Sequence, residues 1–192
     1  MCGEPTRFGR ADCFCCATLA SQLGTRLVPV IATFDYVVGD RQHRLLRGYK
    51  DGPQPLRGVR ASALARRLGD WLTSGGGDAL FGGWDVVTTV PSSRRGGAPA
   101  EAIASRVPEL HDRLERLLVR GPDSTDHLRA ARRGFLLSAH GSSGRARGAR
   151  ILLFDDSITT GARAQSAAYA LGSAGHPVVG ILAVGRARRA AP

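Results

Sequence analysis

Runs of apolar residues and runs with helical spacing follow one another along this chain, and each change of period marks a boundary between a strand and a helix. The clearest case lies near the C-terminus. Ile151-Leu152-Leu153-Phe154 is a continuous apolar run bounded by polar residues, the pattern of a strand covered on both faces. Asp155-Asp156 stand at its C-terminal end, a turn is expected over 157–161 (Ser-Ile-Thr-Thr-Gly), and the Ala-rich stretch 162–173 predicts a helix closed by Gly175. Pro177 then leads a second strand at 178–184. Strand, helix and strand in that order predict a crossover and a parallel sheet, in which ligands bind beyond the C-terminal strand ends.

The earlier pattern is weaker but of the same kind. Residues 28–36 are rich in β-branched and aromatic side chains and predict a strand. An amphipathic segment at 43–49 and a turn at 50–53 (Lys-Asp-Gly-Pro) follow. Leu64, Leu68, Trp71 and Leu72 recur at helical spacing, which predicts a helix over 61–72 stopped by Ser74-Gly75-Gly76-Gly77. Residues 85–90 (DVVTTV) predict a strand ending at Pro91, and 99–107 a helix. Residues 114–120 fit a strand or a helix end, broken by Gly121-Pro122-Asp123. The polar, basic stretch 124–133 predicts a mobile loop, 135–138 a short strand, and 141–148 (GSSGRARG) a surface hairpin or linker.

Length and composition bound this picture. A chain of 192 residues suits one domain, or one domain with a small appendage. All four cysteines (Cys2, Cys13, Cys15, Cys16) fall in the first sixteen residues, so 1–27 is expected as a cysteine-rich appendage and 28–192 as the main domain. No run approaches the roughly 18 apolar residues needed to cross a bilayer. The first five residues lack the charged start and apolar stretch of a secretory signal, so a reducing cytoplasm is expected and disulfides are not.

The net charge of +11 is carried almost wholly by arginine, because Lys50 is the only lysine among 27 basic residues. Guanidinium forks match phosphate geometry. A GC-rich genome would write Arg, Ala and Gly in the same way, and either origin leaves a field that draws phosphorylated ligands or nucleic acid. Lys50 is expected to be a surface lysine, and His43, His111, His127, His140 and His176 show neither metal-ligand spacing nor a triad partner.

The segment 151–163 carries the chemistry. Backbone N–H groups of residues 159–162 would point at an anion with a helix dipole behind them, Gly161 would permit close backbone approach, and the Thr hydroxyls would add donors. Asp155 and Asp156 suit a neighbouring polyol, because carboxylates accept hydrogen bonds from ribose hydroxyls. A sugar phosphate satisfies both halves.

ILLFDDSITTGAR resembles the motif by which the type I phosphoribosyltransferases bind 5-phosphoribosyl 1-diphosphate (PRPP). The N-terminal cysteines, the segment near 47–50, the strand ending at Pro91 and the basic stretch ending in Gly134-Phe135 are similar to the ComF-like, competence-associated branch. The resemblance implies an α/β fold with a mostly parallel, twisted sheet and helices on both faces. It implies that Asp155 and Asp156 hold the ribose, and that Ser157, Thr159, Thr160, Gly161, Ala162 and Arg163 form the 5-phosphate loop. Ser92, Ser93 and Arg94 would line a diphosphate loop, and Arg129, Arg132 and Arg133 a flexible loop that closes over the leaving group.

Mg²⁺ would arrive with PRPP, and Cys2, Cys13 and Cys16 are candidate ligands of a structural zinc, with a degenerate, metal-free ribbon as the alternative. The implied reaction transfers phosphoribosyl to a nitrogenous base or amine with release of diphosphate, and a homodimer is expected. Two departures stand out: Arg163 replaces the family's final Thr or Ser, and residues 95–99 (Arg-Gly-Gly-Ala-Pro) replace its Arg-Gly-Phe-Asn-Gln box. The alternative function is a PRPP-sensing or nucleic-acid-binding module on the same fold. A third reading is docking to a partner through the cysteine ribbon.

Overall fold

The computed structural model describes residues 13–77, 82–92, 99–139, 146 and 148–188. Four strands, β1 (Val30–Val37), β6 (Val178–Arg188), β5 (Ile151–Ile158) and β2 (Val86–Thr89), lie in that spatial order and all run parallel. The protein is therefore α/β, as expected. A single parallel bridge, Val87 to Leu114, extends the sheet past β2, and β3 (Leu118–Arg120) pairs antiparallel with β4 (Phe135–Leu137) as a separate ribbon.

Alternation along each strand divides the core into two layers. Phe34, Val87, Leu152, Phe154 and Leu182 face one side, where α2 (Arg41–Asp51), α3 (Gln54–Trp71), α4 (Pro99–Ala104) and α5 (Pro108–His111) cover them through Leu46, Leu64, Leu68, Ile103 and Leu110. Val86, Ile151, Leu153 and Ile181 face the other, against α6 (Ala162–Ser173) and the β3–β4 ribbon. Each fully buried Leu or Phe contributes about 2 kcal/mol. Helix α1 (Phe14–Leu23), from the cysteine-bearing segment, docks on α6 through Leu19 and Leu23, which meet Ala162 and Ala130.

Several boundaries differ from expectation for local reasons. Helix α3 begins at Gln54, because Pro55 occupies its first turn, where no intrahelical N–H is needed. Lys50 and Asp51 belong to α2, not to a turn, and Asp40 caps that helix by accepting from the His43 N–H at 2.6 Å. Strand β5 does not stop at Phe154. It pairs onward with β6, Asp155 opposite Ala183 and Ser157 opposite Gly185, so the expected turn starts only after Ile158. The 141–148 segment lies largely outside the described residues.

Candidate functional site at the C-terminal strand ends

The extension of β5 through the acidic pair decides how the site is built. Successive strand residues project to opposite faces, so Asp156 follows Leu152 and Phe154 toward α2, and Asp155 follows Leu153 toward α6.

On the α2 side Asp156 is 5% exposed and surrounded. The Tyr49 hydroxyl donates to one carboxylate oxygen, and Lys50 Nζ donates to the other at 2.5 Å. Ser157 Oγ donates to that second oxygen at 2.9 Å and accepts from Lys50 Nζ at 2.9 Å. Tyr36 closes the same face; burial, and then the Asp156 charge, push its phenol above the usual range. This overturns the expectation that Lys50 is a surface residue: its side chain is 18% exposed and ion-paired with Asp156. Gly185 makes the approach of α2 feasible, because a Cβ there would stand 2.7 Å from Leu46 Cδ1 and 2.9 Å from Phe34 Cε2. The sequence did single out Lys50 as the only lysine, but its partner lies 106 residues away and no local pattern reveals it.

On the α6 side, Asp155 accepts from the Asp156 N–H at 2.9 Å. Burial first, then the adjacent Asp156 charge, push its carboxyl up to about 7, against the lowering influence of Arg163 and Lys50.

Beyond the strand, Thr159 is exposed and Gly161 takes φ 85°, a left-handed conformation that suits glycine, before α6 begins. The first helical bond of α6 runs from Gln165 N–H to Gly161 O, which leaves the N–H groups just before it without intrahelical partners. The Thr160 hydroxyl accepts from Ala162 N–H at 3.3 Å and donates to the carbonyl of His127 in the 124–133 loop. That loop has no regular structure but is tied down. Ala130 N–H donates to Gln22 Oε1 at 2.8 Å, and Ala131 N–H to Ser166 Oγ at 3.0 Å.

The other expected site residues are spread. Arg163 Nη2 donates to Pro91 O at 2.8 Å, linking the start of α6 to the end of β2 and so to Ser92, which is half-buried; Ser93 and Arg94 lie outside the described residues. Arg129 and Arg133 are exposed on the loop. Arg132 is committed elsewhere, its Nε donating at 2.8 Å to Leu23 O at the end of α1 and its guanidinium standing 5.9 Å from the Tyr169 ring centre. Cys13 caps α1, its Sγ accepting from the Cys16 N–H at 3.5 Å, and Cys16 is buried; Cys2 lies outside the described residues.

Among the described residues no three His, Cys, Asp or Glu side chains gather as a metal centre, and no helix is long and apolar enough to cross a membrane. No protein-family model matches the chain, and no curated protein matches it. What the site can do is therefore legible only in its own residues.

Proposed function

We propose that this chain has a type I phosphoribosyltransferase fold, binds PRPP with Mg²⁺, and transfers the phosphoribosyl group to a nitrogenous acceptor with release of diphosphate. The observation that carries the reading is the junction of β5 and α6. A carboxylate at the end of a central parallel strand is followed within a few residues by an exposed Thr, a left-handed Gly and the open N-terminus of a helix. A ribose 5-phosphate spans those features: its phosphate fits the N–H groups around Gly161 and its hydroxyls fit Asp155.

Mg²⁺ fits the donor set. It takes one or two carboxylates and otherwise phosphate oxygens and water, and Asp155 would supply that carboxylate, since both oxygens of Asp156 are engaged by Tyr49, Lys50 and Ser157. When bound it would neutralise charge on the departing diphosphate. The protein's own part is to hold the ribose, to orient the anomeric carbon toward the acceptor nitrogen, and to exclude water with the 124–133 loop. In the transfer, the acceptor nitrogen forms a bond to that carbon as the C–O bond to diphosphate breaks, the electron pair leaving with the diphosphate. The loop's present ties, His127 O to Thr160 and Ala131 N–H to Ser166, have to open for entry.

A second reading, a PRPP-binding module without turnover, is favoured by two contacts. Asp156 is already satisfied by Tyr49, Lys50 and Ser157, and Arg132 is held by α1. The cysteine pair at the start of α1, the homodimer and nucleic-acid binding through the arginine-rich surface remain part of this proposal.

Calorimetric titration of Mg²⁺–PRPP into the full chain tests it. The wild type is expected to bind, and Asp155→Asn to bind at least about tenfold more weakly for loss of a charged hydrogen-bond acceptor. No heat from a folded wild type would overturn the reading. Release of diphosphate with a panel of bases then separates enzyme from sensor.

A further inference from the structure

The loop between β3 and β4 is held from two sides. Toward α6, the Thr160 hydroxyl donates to His127 O, and Ala131 N–H donates to Ser166 Oγ at 3.0 Å. Toward α1, Ala130 N–H donates to Gln22 Oε1 at 2.8 Å, and Arg132 Nε donates to Leu23 O at 2.8 Å. Ala130 is 6% exposed and packs with Leu19 and Leu23 of α1 and Ala162 of α6. Gly24 closes α1 at φ 68°, and a Cβ there would collide with Arg132 Nη2, so this glycine also keeps room for the guanidinium.

Two further observations make this a contact that can release. The loop tip is knitted into one piece, because the Asp126 carboxylate accepts from Leu128 N–H at 2.7 Å and from Arg129 N–H at 2.9 Å. Its stem is paired separately, Gly121 N–H donating to Gly134 O at 3.0 Å, so the tip can swing without unravelling the ribbon. Helix α1, for its part, can leave without opening the main core. Neither of the two large apolar clusters on the faces of the sheet contains a residue of α1, which docks through Leu19 and Leu23.

We propose that α1 is an autoinhibitory strap: it holds the 124–133 loop shut against the start of α6, and its detachment frees that loop. While the strap is fastened, His127 O occupies the Thr160 hydroxyl beside Gly161. The two anchors act together, since a loop tied to α1 at Ala130 and Arg132 pays little further entropy to meet Thr160 and Ser166. The restraint itself needs no ligand; only its effect on entry rests on the PRPP reading.

The test follows amide hydrogen exchange residue by residue, by NMR, in the full chain and in Gln22→Ala and Leu19→Ala, with Ser21→Ala on the exposed face of α1 as control. The diagnostic amide is Ala131, which bonds to α6 and not to α1. It should exchange about fivefold faster in Gln22→Ala, for the loss of one hydrogen bond on the opposite side of the loop. Leu19→Ala should speed it as well, while Ser21→Ala and the β5 and β6 amides of Gln22→Ala keep wild-type rates. An Ala131 amide that exchanges at the wild-type rate in both Gln22→Ala and Leu19→Ala overturns the strap, and so does equal speeding of β5 and β6 in Gln22→Ala. Calorimetry then reads the inhibition: Gln22→Ala should bind Mg²⁺–PRPP about fivefold more tightly than the wild type, because a larger share of molecules stands open. Equal or weaker binding by a variant whose loop is freer overturns the inhibition. If neither form binds, the PRPP reading falls, and exchange at Ala131 alone decides the strap.

Discussion

The two sides of the sheet at the end of β5 solve the burial of charge in opposite ways. Toward α2, Asp156 meets a phenol, an ammonium and a hydroxyl, so every carboxylate oxygen is used and the pair is complete without any ligand. Toward α6, burial pushes the Asp155 carboxyl up to about 7, and the buried Nε of Arg163 has no hydrogen-bond partner. One side is complete as structure, and the other keeps a raised carboxyl and an unpartnered guanidinium nitrogen. On the PRPP reading the α6 side is where the ligand binds, because groups already desolvated and oriented give binding energy without further reorganisation.

The largest test of that contrast is Asp156→Ala. It leaves the Lys50 ammonium half-enclosed without its counter-ion, and stability should fall by about 3 kcal/mol in urea unfolding. Adding Lys50→Met to that variant should recover much of the loss, since an apolar stem of similar length replaces an unpaired charge. If Asp156→Ala unfolds at the wild-type midpoint, the α2 side is not the closed unit described above.

Asp155→Asn should act with the opposite sign. An acid whose folded pKa stands near 7, above its ordinary 3.8, costs stability as pH rises between those values, and the cost is full above the folded pKa. The Asn variant should therefore match the wild type near pH 4 and melt higher near pH 8, and wild-type affinity for Mg²⁺–PRPP should strengthen as pH rises through about 7. A variant that melts lower than the wild type at pH 8 would show that Asp155 is satisfied in the folded chain.

The smallest effect is expected at Gly161→Ala. A Cβ there has room, its nearest neighbour being Ile158 Cγ2 at 3.7 Å, so the cost is the left-handed backbone alone, about 1 kcal/mol. Mg²⁺–PRPP affinity, read by the same calorimetry, should fall by more than that stability change accounts for if the loop backbone grips the phosphate.

Local pattern determined a good deal of this protein. The apolar run at 151–154, the Ala-rich helix ending at Ser173 and the Pro177-led strand were legible because both faces of a parallel strand are covered and a helix repeats every 3.6 residues. The same period failed at α3, whose start is set by Pro55 in its first turn, and at β5, whose end is set by how far β6 runs beside it. Tertiary structure alone decided the chemistry around the acidic pair. Asp155-Asp156 reads in sequence as one unit, but strand continuation sends the two carboxylates to opposite faces and gives each a different set of neighbours. Tyr49 and Lys50 reach Asp156 from 107 and 106 residues away, and Arg163 meets Pro91 O from 72 residues away. Contacts of that range depend on strand order and helix docking, which come from the summed packing of the whole core and leave no periodic trace at the residues that meet.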